Sequence, residues 1–214
     1  MKALLRYLSL KSWRDSSLVA FVLVPALAPP SAIIGATHAL RYPMYMDARW
    51  SPIANASNAC EIGSLMCAFF AIIPAFWVLR PEIASRSVAA LALAARPRTI
   101  VASMIAYAVV IEMSAFVIAV VAITALTSVA PAGIALVAAK TALSTVAAAS
   151  FGALAVTISP EPAMIIGGCF GYMILIVPFV MKSKSVPVQF AAGIAIALAS
   201  TALAMFLLER RCAR

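Results

Sequence analysis

The sequence has little charge. Asp, Glu, Lys and Arg together make up 11% of its 214 residues, whereas hydrophobic residues make up 65%, and the mean hydropathy is +1.07. Because a soluble domain carries about 25% charged residues, this balance excludes an ordinary soluble fold. It indicates a chain that lies mostly inside a membrane.

The residues that usually carry catalysis or bind metals are also scarce. The chain has one histidine, His38, and two aspartates, Asp15 and Asp47, and its four cysteines form no CxxC pair. Metal sites and acid–base catalysis need such side chains in clusters. A membrane-embedded enzyme, such as a lipid transferase or phosphatase, is therefore disfavoured, and we expect no catalytic residue, metal or cofactor in this chain.

Long apolar runs are what the sequence does contain. A membrane-spanning helix needs about 20 consecutive, mostly apolar residues. Six runs approach or exceed this length, at residues 17–40, 60–79, 99–127, 131–158, 163–181 and 187–208. The predicted fold is all-α, with six transmembrane helices in a single membrane domain over residues 1–214. There is no GxxxxGK[ST] motif for binding nucleotide phosphates.

The first residues are basic and amphipathic. Leu4 and Leu8 can enter the headgroup boundary while Lys2 and Arg6 stay in water, which predicts an interfacial helix over residues 2–14. A merely basic flank is the alternative. The following apolar run resembles the core of a secretory signal, but it continues far enough to be interpreted as a retained first span.

The positions of the basic residues give an orientation, since short loops rich in Lys and Arg stay cytoplasmic. With the N-terminus inside, the cytoplasmic set is Lys2, Arg6, Lys11, Arg14, Arg80, Arg86, Arg96, Arg98, Arg210, Arg211 and Arg214. Both termini are then cytoplasmic. This topology and anionic lipid headgroups account for the net charge of +9, so no nucleic acid partner is expected.

Residues 80–98 interrupt the membrane pattern with a charged, helical stretch between spans two and three. An amphipathic helix is predicted over residues 81–96, with Glu82 and Arg86 on its polar side. Leu93 is the exception, because it is an apolar residue on that polar side. It is therefore available to insert into a soluble partner.

Two charges lie inside predicted spans, where charges are costly and are functional candidates by default. Glu112 lies in span three and Lys140 in span four. One interpretation is an ion pair that joins these two spans. The other is a polar lining for a substrate path, and both remain open from the sequence.

An N-terminal amphipathic helix, six spans and a cytoplasmic helix between spans two and three together resemble the ABC-2 type permeases, the membrane subunits of bacterial ABC exporters. The local resemblance is carried by Glu82, by the Leu-Ala-Leu-Ala-Ala run at residues 91–95 and by Pro97-Arg98. The chain length and the SFGALAVTIS run at residues 150–159 also look like the short haem-exporter-type permeases of cytochrome c maturation.

This resemblance implies that two permease subunits form a homodimer and dock two cytoplasmic ATP-binding subunits that hold ATP and Mg²⁺. The helix between spans two and three would be the coupling helix, with Glu82, Arg86 and Leu93 contacting the ATPase and Glu161 of the second inner turn as a secondary contact. ATP hydrolysis would move a hydrophobic or amphipathic substrate out across the bacterial inner membrane.

Two alternatives to this function remain at the level of the sequence. A gradient-driven carrier or channel is one, since Glu112 and Lys140 can serve an ion or substrate path, although no internal repeat supports it. The other is that residues 81–96 only anchor the chain at the membrane surface, without a partner.

Overall fold

A computed structural model describes residues 23–31, 52–85, 92–93, 95–128, 133–172, 174 and 185–212. All regular structure in these ranges is helical, with no β-strand among them. Residues 23–31 are helical, and six further helices have defined bounds: α1 Pro52–Phe70, α2 Ile72–Ala84, α3 Pro97–Thr127, α4 Ile134–Ile158, α5 Ala163–Gly171 and α6 Val186–Cys212.

Four helical segments among the described residues are long and apolar enough to cross a membrane. They are Ala59–Ala84, Pro97–Thr127, Ile134–Ile158 and Val186–Cys212. These segments coincide with predicted spans two, three, four and six. The chain is therefore a membrane-embedded helical protein, because helices satisfy their own backbone hydrogen bonds in lipid.

The other predicted membrane elements fall partly or wholly outside the described residues. Residues 23–31 of predicted span one (17–40) are described, and they are helical. In predicted span five (163–181), helix α5, Tyr172 and Ile174 are described. The predicted interfacial helix over residues 2–14 lies outside the described residues.

The segment Ala59–Ala84 combines the end of α1 with α2, which meet at a turn at Ala71. Pro74 lies in the first turn of α2, where a missing backbone N–H breaks no helical hydrogen bond.

The predicted start of the coupling helix at residue 81 is wrong. Helix α2 continues through Pro81 to Ala84, and the backbone N–H of Ser85 still donates to the Pro81 carbonyl at 2.9 Å. The physical reason is burial, since Ile83 belongs to the apolar core and holds the last turn against it. Of the remaining predicted helix, Ala92 and Leu93 are described and helical, whereas Ala95 and Arg96 are described and not helical.

Helix α4 lies at the centre of the bundle and contacts all five of the other labelled helices. Its buried face is built of small residues, among them Ala147, Ala148, Gly152 and Ala153. Small side chains allow helix backbones to approach closely in a membrane. At Gly152 the approach is so close that a Cβ atom would overlap the carbonyl oxygen of Ile72 on α2.

Helices α3 and α6 lie further out and present apolar side chains at the surface. Val110 and Val121 on α3 and Leu198 on α6 are exposed. Such residues suit contact with lipid tails or with another membrane helix, whereas Glu112 on α3 and Ser200 on α6 are buried.

We expect Gly152→Ala to destabilise the bundle, because the new methyl group forces α4 away from α2. Overpacking of this kind costs about 1–3 kcal/mol. Gly167→Ala is the matched control, since a Cβ atom there meets no atom within 4 Å. Unfolding of both purified variants in detergent measures the difference, and equal stabilities would contradict the packing described here.

Candidate functional site

The end of α2, the start of α3 and the end of α6 meet the end of α4 on one side of the bundle. The described arginines lie there, and we call this side the basic end. Arg80 Nε, on α2, donates to the carbonyl oxygen of Pro160 at 2.9 Å. Arg211 Nη2, on α6, donates to the carbonyl oxygen of Ile158 at 2.7 Å. The last carbonyls of a helix have no donor within the helix, so Arg211 supplies one to α4.

Helices α3 and α6 are joined at the same end by a salt bridge. Arg98 Nε lies 3.2 Å from Glu209 Oε1, and both side chains are well exposed. An exposed pair of this kind contributes about 0–1 kcal/mol. The pair shows that the start of α3 and the end of α6 are neighbours.

Of the residues predicted to contact an ATPase, Glu82, Leu93 and Glu161 belong to this end, but they differ in exposure. Leu93 is 92% exposed, whereas Glu82 is only 7% exposed, and Glu161 is exposed in the turn between α4 and α5. Arg86 lies outside the described residues. Glu82 was expected on a polar surface, and it is buried because α2 continues past it.

The structure brings two of these predicted elements together. Arg80 precedes Glu82 by two residues, and its partner Pro160 immediately precedes Glu161. The last turn of α2 and the turn at residues 159–162 are therefore held in direct contact. This contact was not predicted from the sequence, where an arginine near a helix end was its only sign.

Glu112 lies in the middle of the membrane region. It is the midpoint of α3, since Pro97 and Thr127 are each 15 residues away, which is about 22 Å at 1.5 Å per residue. Its side chain is fully buried, and neither carboxylate oxygen has a hydrogen-bond partner.

The ion pair predicted between Glu112 and Lys140 is not formed between these two described residues. Lys140 lies six residues from the start of α4, or about 9 Å along its axis, and is only partly buried. A lysine so near a helix end can extend its amine toward the membrane surface, whereas Glu112 points into the protein interior.

Hydrogen bonds between hydroxyl groups connect α4 to its neighbours inside the membrane. Thr141 Oγ1 donates to Ser64 Oγ at 2.8 Å, which links α4 to α1. Thr201 Oγ1 donates to Ser150 Oγ at 3.0 Å, which links α6 to α4. These pairs were not predicted from the sequence, although α4 carries five hydroxyl residues, at positions 141, 144, 145, 150 and 157, and hydroxyl groups can hydrogen-bond between membrane helices.

The chemistry available for metals is limited in the part of the chain that is described. No group of three or more His, Cys, Asp or Glu side chains there is placed to hold a metal ion. Cys60 and Cys67 are buried free thiols, and both belong to apolar clusters, as expected of cysteines that act as small packing residues.

Comparisons of the chain with protein-family models, with curated proteins and with solved structures gave no match. Its function must therefore be inferred from its own residues and their arrangement.

The separation of Glu112 from Lys140 can be tested with Glu112→Gln, Lys140→Met and the double variant. Because the two groups do not contact each other, the changes in unfolding free energy should add within about 0.5 kcal/mol. Unfolding of the four proteins in mixed detergent micelles measures this. A coupling energy above about 1 kcal/mol would show that the pair forms after all.

Proposed function

We propose that this protein is the transmembrane subunit of an ABC exporter and that its basic end docks a cytoplasmic ATP-binding subunit. The observation that carries the proposal is the 92% exposure of Leu93. This leucine precedes the membrane helix α3 by four residues, at an end rich in arginine. An apolar side chain held out among charges suits insertion into the pocket of a soluble partner.

The docking surface would combine apolar and charged contacts. Leu93 is the apolar anchor, and the exposed Glu161 supplies a charge in the neighbouring inner turn. Arg86 is proposed as a further contact on the segment that joins α2 to α3. Glu82, being buried, is proposed to act by shaping the end of α2 beneath that surface.

The contact between Arg80 and Pro160 offers a route from the docking surface to the membrane helices. A movement of the segment after α2 would displace Arg80, and Arg80 would displace the turn that connects α4 to α5. Since α4 contacts all the other labelled helices, a displacement of α4 would shift their packing as well. ATP-driven closure of the partner would in this way move the membrane helices and carry an amphipathic cargo outward.

The assembly is proposed to contain two copies of this chain. The exposed apolar faces of α3 and α6 offer surface for a second copy as well as for lipid, since apolar helix surfaces associate in membranes by close packing. The proposed location is the bacterial inner membrane, with both termini in the cytoplasm.

A gradient-driven carrier is the second candidate function, and Glu112 is the observation that favours it. Buried ionisable residues in membrane helices often belong to ion or proton pathways. The two functions separate by transport into vesicles that contain this chain alone, because only a carrier works without an ATP-hydrolysing subunit.

Replacing Leu93 with Asp should abolish copurification of an ATP-hydrolysing subunit from native membranes, since a charged side chain cannot enter an apolar pocket without a large loss. Leu93→Met is the matched control, because it keeps an apolar side chain of similar size, and it should retain the partner. The proposal fails if the wild-type protein brings down no such subunit, or if Leu93→Asp brings down as much as wild type.

The proposed orientation predicts which end of the bundle a membrane-impermeant maleimide reaches. In a variant lacking the four native cysteines, Ser185→Cys at the start of α6 should react in intact spheroplasts. Glu161→Cys should react only after the membrane is opened, because positively charged ends stay cytoplasmic. Reaction of Glu161→Cys in intact spheroplasts would reverse the topology.

A further inference from the structure

A polar layer crosses the bundle at the depth of Glu112. Glu112 lies within electrostatic range of the Cys67 thiol on α1. The hydrogen bond between Thr141 and Ser64 sets α4 beside α1, and three residues further along each helix lie Ser144 and Cys67. Ser144 and Cys67 therefore lie at a similar depth on α4 and α1, and Glu112 on α3 lies near Cys67.

Two members of this layer lack partners. Both oxygens of Glu112 and the hydroxyl of Ser144 are buried without a hydrogen bond. One helical turn away, Thr141 and Ser64 do form a hydrogen bond with each other. The same helices therefore provide partners for other buried polar groups. An unpaired carboxyl group at mid-membrane is costly, and it is therefore a functional candidate by default.

Aromatic side chains lie beside this layer. Phe116 follows Glu112 by one helical turn and packs in the same cluster as Cys67. On the neighbouring helices, the rings of Phe69 and Tyr172 meet edge to face, with centroids 5.7 Å apart, and the Tyr172 hydroxyl donates to the carbonyl oxygen of Leu65 at 3.3 Å. Carboxylate and aromatic groups together suit a cation that carries apolar substituents.

We propose that Glu112 is the centre of a binding site for the positively charged group of an amphipathic cargo. The inference rests on the proposed transport function and names its substrate class: lipophilic cations. The carboxylate neutralises the charge of the cargo, and the aromatic and apolar side chains around it accommodate the rest. Because Glu112 is fully buried, the helices around it must separate for cargo to enter, so this arrangement is the closed state of the site.

Two probes of the same shape and opposite charge test the site, namely tetraphenylphosphonium and tetraphenylborate. The purified wild-type protein in detergent should bind radiolabelled tetraphenylphosphonium saturably and should not bind tetraphenylborate at the same site. Glu112→Gln should weaken the binding of the cation at least about tenfold, which corresponds to 1.4 kcal/mol. Lys140→Met is the matched control and should bind the cation as wild type does or more tightly.

A second measurement uses the wild-type protein alone, in case Glu112→Gln fails to fold. A hydrophobic carbodiimide should modify Glu112, as mapped by mass spectrometry, and tetraphenylphosphonium should protect it while leaving the exposed Glu161 unprotected. The inference is overturned if the cation does not bind saturably, if the folded Glu112→Gln variant binds it equally well, or if it gives Glu112 no protection. If an ATPase copurifies although the cation test fails, the proposed transport function is still supported, and only the assignment of lipophilic cations as the substrate class is contradicted.

Discussion

The close approach of α4 to its neighbours is the constraint on which the rest of the structure depends. Inside a bilayer, apolar surface alone gives helices little reason to associate, so they are held by tight packing and by hydrogen bonds between side chains. Gly152 lets the α4 backbone lie directly against the carbonyl of Ile72. The hydroxyl pairs to α1 and α6 then fix the rotation and depth of α4 relative to both helices.

The arginines complete the arrangement at one end of the bundle. Arg80 and Arg211 both donate to carbonyl oxygens at or just beyond the end of α4, so the central helix is fastened where it leaves the membrane. That end is also where Leu93 is exposed. In the proposed function, this attachment links the surface around Leu93 to the central helix.

The sequence predicted the long helices well and the polar contacts poorly, for physical reasons. A run such as residues 99–127 must form a helix in lipid, because nothing else satisfies its backbone, and α3 confirms it. The end of α2 was predicted wrongly, because Pro81 indicated the start of a new helix. In the structure, the burial of Ile83 holds this turn in α2. The separation of Glu112 from Lys140 depends on helix rotation and on the flexible reach of lysine, which an amino-acid pattern does not contain. The resemblance to ABC-2 type permeases stays a prediction.

The most direct test of the proposed docking function is photo-crosslinking from residue 93 in native membranes. A photoreactive amino acid placed there, followed by mass spectrometry, identifies whatever covers this position in the assembled protein. Our account predicts a crosslink to a soluble ATP-hydrolysing subunit. Crosslinks to lipid alone would contradict it, because they would place Leu93 at the membrane surface without a partner.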